Sequence, residues 1–395
     1  MSRKHPRNIE RLESYLVNLI QQEGADQGHT GWIKLFLDFL NAISKLFGLV
    51  VAVRHFAYRS GILREHALGA QVISIGNVTA GGTGKTPVVE IFARELLRRN
   101  RKVAILSRGY RKKELPFWQR VFCDRITPPR IVSDGKRILL DSEMGGDEPY
   151  MLANNLPGVV VLVDRDRVKS AQYAIRRFGC DTLILDDGFQ YRRLRHSHEI
   201  VLVDSTNPFG NGHLLPRGIL REKVSAIARA DFIFITKSKG KSALLRQRLK
   251  ELNPRAEIIE CCHAPRFLSR LYTHEQEPLE WLRGKKLAAL SGIAVPQGFE
   301  NFLRQLGGTI LRTERFADHH RYTSSEVLGA INKAADLGAD ALITTEKDAV
   351  RFPQLSSTAI PVYFLRVNIE ILRGAQNFQD AVEHICFSQT RSANP

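Results

Sequence analysis

Residues 71–87, QVISIGNVTAGGTGKTP, constrain the fold of this chain more than any other stretch. A β-branched run from Val72 to Ile75 meets a glycine-rich loop that ends in Gly84-Lys85-Thr86. The apolar run Val88-Val89-Glu90-Ile91-Phe92 then opens a helical pattern. Strand, glycine loop and helix in that order are the context of a phosphate-binding loop. Glycines let backbone N–H groups wrap phosphate oxygens, and the helix N-terminus adds the positive end of its dipole. The expected nucleotide contacts are Thr79, Ala80, Gly81, Gly82, Thr83, Gly84, Lys85 and Thr86. Lys85 is expected on the β- and γ-phosphates, and the Thr86 hydroxyl on Mg²⁺. The strict pattern asks for glycine five residues before Gly84, where Thr79 stands; Gly81-Gly82 supply the flexibility instead.

Downstream, the apolar run Thr182–Leu185 ends in Asp186-Asp187-Gly188-Phe189-Gln190. A carboxylate at a strand tip beside a phosphate loop can hold Mg²⁺ directly or through water, so Asp186 and Asp187 join Thr86 as candidate metal ligands. Adjacent side chains on an extended chain point to opposite faces, so a turn must follow at once if both are to serve, and Gly188 permits one. A second acidic group, Gly146-Asp147-Glu148-Pro149, allows two roles. Asp147 can cap a helix starting at Glu148. It can also serve as the carboxylate a kinase needs to orient and deprotonate its acceptor hydroxyl. Phe316–Thr323 (FADHHRYT) places His319 and His320 beside Asp318, an arrangement that can tune a general base or be merely structural. Leu214–Glu222 (LLPRGILRE) is a basic loop after a strand, and arginine spreads charge on a transferring phosphoryl group. Ser107-Arg108-Gly109-Tyr110 with Arg111-Lys112-Lys113 extends the basic surface.

At 395 residues the chain has room for two domains, and an apolar fraction of 43% is that of a folded protein. The net charge of +17 is uneven: Arg94 to Arg137 holds fourteen Lys/Arg against four Asp/Glu. That surplus points to an acidic partner such as a nucleotide, a phosphorylated substrate or an anionic membrane surface. No aromatic–basic RNA motif or helix-turn-helix signal accompanies it, so nucleic acid is not expected as a partner. Five cysteines form no CxxC pair and read as reduced thiols.

Trp32 to Val53 is mostly apolar. Its polar residues Lys34, Asp38, Asn41 and Lys45 fall within a fan of about 60° at helical spacing. Twenty-two residues would extend about 33 Å. The charges argue against a clean span, and Arg54, Arg59 and Arg64 follow at its end. A helix lying in or dipping into the membrane is expected, against the alternative of a helix packed on the protein's own core. A cleavable signal is not expected, because the apolar stretch starts late and ends at Arg54-His55.

Beyond the loop, short β runs alternate with helical stretches, which predicts a parallel sheet with ligands at the carboxyl ends of its strands. Expected strands are 103–107, 159–163, 182–185, 200–203 and 232–236; a second series begins near Lys286 with 287–290, 309–312, 341–344 and 362–365. The expected organisation is an N-terminal extension and membrane-associated helix (1–60), a nucleotide-binding core (61–254), a connector (255–280) and a smaller C-terminal α/β domain (281–395).

Taken together, SIGNVTAGGTGKTP, LSRGY, VSDG, GGDEP, DDGFQYRRL, VLVD, GNGHLLPRGILRE, FADHHRYT and TTEKDAV resemble, in number and order, the tetraacyldisaccharide 4′-kinase family. The resemblance runs from about residue 46 to about residue 352, and Thr79 matches that family's variant of the loop. It implies a P-loop kinase core, a smaller C-terminal α/β domain and an active site between them. It also implies ATP and Mg²⁺ as cofactors and a tetraacylated disaccharide 1-phosphate, a lipid A precursor, as substrate. The implied place is the cytoplasmic face of the inner membrane, anchored by the N-terminal helix. Carried over by position, Lys85 and Thr86 serve ATP and Mg²⁺, and Asp186-Asp187 serve the metal. Asp147 is the base with His319 as its partner, and Arg221 faces the phosphate. The stretch Glu114–Pro129, Arg111, and Arg217-Gly218-Ile219 depart from the family pattern. A membrane-associated switch ATPase shares a similar loop but carries a signature lysine before the two glycines, where Ala80 stands here.

Overall fold

The structure, a computed structural model, describes residues 31–109, 127–273 and 275–387. Tyr110, Arg111-Lys112-Lys113, Cys123, most of the departing stretch Glu114–Pro129 and the expected N-terminal extension through residue 30 lie outside them. The chain is mixed α/β with a large, mostly parallel sheet. It divides into two compact units. One is built from the chain up to Lys85, Leu185–Cys261 and the chain from Ile371; the other is built from Thr86–Ile184 and Cys262–Glu370.

In the first unit, strand Gln71–Asn77 pairs in parallel with His198–Asp204, which pairs with Phe232–Thr236, which pairs with the start of Glu257–Arg270. Every residue of Gln71–Asn77 and Phe232–Thr236 is buried, as the near-continuous apolar runs of two-sided parallel strands require. One core joins Val201, Val203, Ile233 and Ile235 to Phe189, Phe209 and Leu249. Residues 255–280, read as a connector, hold the 14-residue strand Glu257–Arg270. Cys262-His263-Ala264-Pro265 interrupts its apolar alternation, which hid it.

In the second unit, Val103–Ser107 pairs in parallel with Val160–Val163, and Arg130–Asp134 adds to that strand antiparallel. Lys286–Ser291 sits between Thr309–Arg315 and Ala341–Thr345, and the last pairs with Val362–Arg373, all in parallel. Helix Ser324–Asp336 is closed by a capping box, with Thr323 and Glu326 satisfying each other's backbone N–H groups.

The apolar N-terminal stretch is one helix, Trp32–Arg59, of 28 residues. Leu37, Leu40, Ser44 and Tyr58 are buried on one face, where the Ser44 hydroxyl donates to the Leu214 carbonyl at 2.7 Å. The opposite face leaves Phe39, Leu46, Leu49, Val50, Val53 and Phe56 each about 60% exposed. The helix is therefore docked along a narrow seam rather than enclosed in a core. It is long and apolar enough to cross a membrane.

Candidate active site

The phosphate-loop segment runs from the end of strand Gln71–Asn77 to helix Lys85–Arg98. Gly81 and Gly84 hold φ of 114° and 79°, values that a side chain would strain. The loop is braced from outside. The Gly82 carbonyl accepts from Lys237 Nζ at 2.7 Å, and the Thr83 carbonyl from the Thr236 hydroxyl at 2.8 Å. Ala80 donates to the Ile219 carbonyl at 2.6 Å, and Arg221 N–H donates to the Val78 carbonyl at 2.7 Å. Carbonyls committed to outside donors are not aimed at an anion, which suits phosphate binding.

Lys85 Nζ lies 3.2 Å from Asn77 Oδ1 and 3.4 Å from Asp187 Oδ1. Arg221 Nη1 donates to both Asp187 oxygens at 2.8 Å. Burial opposes ionisation of Asp187, but Lys85 and Arg221 outweigh it and hold the carboxyl below the usual carboxylate range. Lys85, Asp187 and Arg221 thus form one cluster. The turn after strand Thr182–Asp186 differs in detail from the sequence expectation. Asp187 itself takes the left-handed conformation, with φ of 57°. Gly188 serves by being small: a Cβ there would stand 2.7 Å from Leu185 Cβ and 2.8 Å from Ser74 Oγ. Asp186 is buried at the strand tip.

Asp147 does not cap a helix from Glu148. It is the first residue of helix Asp147–Asn155, Gly146 holds the N-cap position, and no side chain caps. Its carboxylate reaches outward to three partners instead. Arg351 Nε donates to Oδ2 at 2.8 Å, Arg321 Nη2 donates to Oδ1 at 3.0 Å, and His319 Nδ1 lies 3.2 Å from Oδ2. Burial pushes the Asp147 carboxyl up, but His319, Arg351 and Arg321 outweigh it, so the group is held below the usual carboxylate range. His319 sits in the left-handed region, φ 63°, in the loop after strand Thr309–Arg315. His320 turns away to Glu326, 3.2 Å from its Oε2, as part of the helix cap. Of the two histidines, His319 meets Asp147.

Several neighbours carried no role in the sequence reading. Arg351 is completely buried and also donates to Asp348 Oδ1 at 3.2 Å. Lys347 Nζ lies 3.2 Å from His319 Nε2. Both belong to the stretch Thr344–Arg351 (TTEKDAVR), which carries no local sign of what its charges face. Gln190 Nε2 donates to the Asn77 carbonyl at 3.0 Å, so a quoted motif residue braces the loop strand.

A model of the Tetraacyldisaccharide-1-P 4'-kinase family matches residues 36–386 of this chain. The chain belongs to the tetraacyldisaccharide 4′-kinase family. A family relative from Halothermothrix orenii is 37% identical over 355 residues, covering 87% of this chain and 88% of that protein. One from Anaeromyxobacter dehalogenans is 41% identical over 342 residues, covering 85% and 87%. Among solved structures, LpxK from Aquifex aeolicus in complex with ATP is similar at a TM-score of 0.69 and 27% identity, covering 89% of this chain and 99% of that one.

The family reading calls for Mg²⁺, and the residues fit it by donor chemistry. The Thr86 hydroxyl and the Asp186 and Asp187 carboxylates are hard oxygen donors, and a kinase Mg²⁺ takes only one or two carboxylates beside phosphate and water. Asp187 is engaged by Lys85 and Arg221 in this structure.

Proposed function

We propose that this chain transfers the γ-phosphate of ATP to the 4′-hydroxyl of a tetraacyldisaccharide 1-phosphate, in lipid A biosynthesis, with Mg²⁺ as cofactor. Family membership carries the reaction class. The observation that carries the residue roles is Asp147: a buried carboxylate held ionised by Arg351, Arg321 and His319, none of which lies on its own helix. In transfer, the acceptor O–H bond breaks with its proton going to Asp147. A bond forms from that oxygen to the γ-phosphorus, the bond to the β-phosphate oxygen breaks, and ADP leaves. His319 orients Asp147. Lys85 and Arg221 stabilise charge on the phosphoryl group, and the 79–84 backbone holds the phosphates. Thr86, Asp186 and Asp187 would hold Mg²⁺, which when bound neutralises phosphate charge.

The exposed apolar face of helix Trp32–Arg59 supports a place in the membrane interface, with acyl chains beside it. The cytoplasmic face of the inner membrane is where ATP meets such a substrate. The test is transfer of radiolabelled γ-phosphate from ATP to tetraacyldisaccharide 1-phosphate in detergent micelles, with Lys85→Ala alongside. Labelled lipid from the wild type alone is expected. ATP hydrolysis without lipid labelling would overturn the reading.

A further inference from the structure

The two ring nitrogens of His319 face different chemistries. Nδ1 faces the Asp147 carboxylate at 3.2 Å, and Nε2 faces Lys347 Nζ at 3.2 Å. A lysine ammonium has three donors and no acceptor, whereas an ionised carboxylate only accepts. Hydrogen bonds to both require Nε2 without a proton and Nδ1 with one. Which nitrogen carries the proton is thus set by the partners. Two nearby groups pull the other way less well. Asp318 Oδ2 is 3.8 Å from Nε2, beyond hydrogen-bond reach. Arg351 Nη2 is 3.5 Å from Nδ1, at the limit of reach and farther than the carboxylate.

Lys347 is itself held in place. It is the second residue of the short helix Glu346–Ala349, where Thr345 accepts from the Asp348 N–H at 3.1 Å. Asp348 is buried and accepts from the Tyr322 hydroxyl at 2.9 Å and from Arg351. Glu346 is gripped by both Arg366 and Asn155. Glu148 and Asp318 carboxylates, 3.6 and 3.7 Å from Nζ, match the lysine's charge.

We propose that Lys347 is a positioning residue that fixes the tautomer of His319, keeping the Nδ1 proton directed at Asp147. The tautomer stands on this geometry, and its consequence for turnover rests on the proposed role of Asp147 as base. Without the donor at Nε2, the ring is free to carry its proton there. A bare Nδ1 lone pair would then face the Asp147 carboxylate, which repels it and loses its orientation.

The experiment is nitrogen-15 histidine labelling of the full chain in detergent micelles, with His319→Asn assigning the His319 signals among twelve histidines. Lys347→Gln, Lys347→Met and Lys347→Glu are compared with the wild type, for tautomer and for kcat and KM. The wild type and Lys347→Gln, whose amide can still donate, are expected to show protonated Nδ1 and bare Nε2. Lys347→Glu, which can only accept, is expected to reverse the pattern, and Lys347→Met to lose the preference. In kinetics, Lys347→Met and Lys347→Glu are expected to lower kcat by about 10- to 100-fold, the scale of a misoriented catalytic group, with KM for ATP little changed. Lys347→Gln is expected to restore most of kcat. An unchanged tautomer in Lys347→Glu and Lys347→Met overturns the proposal, whatever their activity. An inactive wild type with the expected tautomer pattern would instead count against the kinase roles alone.

Discussion

Replacing Asp147 separates its chemical work from its structural work. The side chain is 8% exposed and Arg351 beside it is 0% exposed. Asp147→Ala strands that buried guanidinium with Asp348 Oδ1, at 3.2 Å, as its remaining carboxylate. Removing one partner of a buried ion pair costs about 3–5 kcal/mol, and the surviving Asp348 contact places this case near about 3 kcal/mol. At roughly 2–4 °C per kcal/mol for a unit of this size, Tm falls by about 6–12 °C. Asp147→Asn keeps an oxygen for Arg351 and loses only the charge assistance, a change of about 1–2 kcal/mol and about 2–8 °C. Both variants remove the proposed base, so both are expected to lower kcat by about 10²- to 10⁴-fold. Nucleotide affinity is expected to hold, because Lys85 and the loop are untouched. The assays are phosphate transfer in micelles, equilibrium ATP binding and thermal unfolding, run on the same preparations. An Asn variant with kcat within about tenfold of wild type, below the range for a lost base, would refute the catalytic reading. Equal Tm shifts for Ala and Asn would refute the ion-pair reasoning.

Three further outcomes are expected. Asp147 and Asp187 both have folded-state carboxyls held below the usual range, so their stabilisation is present at neutral pH and is lost as pH falls below about 4. The drop in Tm on acidification should be shallower in Asp147→Asn, and parallel drops would count against the assignment. Gly188→Ala drives a Cβ against Leu185 and Ser74, a clash costing about 1–3 kcal/mol. It should lower both Tm and kcat by displacing Asp187, and unchanged kinetics would show that the turn tolerates the methyl. Phe39→Ser with Leu46→Ser and Val50→Ser alters residues 58–61% exposed. Each should change stability by no more than about 0.5 kcal/mol while shifting the protein from membranes to the soluble fraction. An unchanged membrane fraction would sink the interfacial role of this face.

Much of the fold could be read from local pattern because parallel strands buried on both faces are continuous apolar runs. Val103–Ser107 and Phe232–Thr236 appear at the expected bounds, and the loop between Asn77 and Lys85 follows from its glycines. Strand Arg130–Asp134 escaped because only Ile131 and Val132 of its five residues are apolar, with Arg130 and Asp134 half-buried and Ser133 buried, and Glu257–Arg270 because Pro265 and His263 break its alternation. The helix Trp32–Arg59 was evident from its apolar period. Which of its faces meets the protein was not, since Leu37 and Leu40 differ from Leu46 and Leu49 only in what lies opposite.

The site divides along the same line. Lys85, Thr86, Asp186 and Asp187 can be named as candidates by position, because a loop and a strand tip are local constructions that neighbouring residues specify. Asp147 could be read as a cap or as a base, and His319 could not be separated from His320 by composition. Those choices depend on partners 172 to 204 residues away in the chain, including the completely buried Arg351. Local residue patterns set which groups can ionise, donate or bend. Only the folded chain decides which opposite charges share a buried space, and there desolvation makes each pairing too costly to exchange.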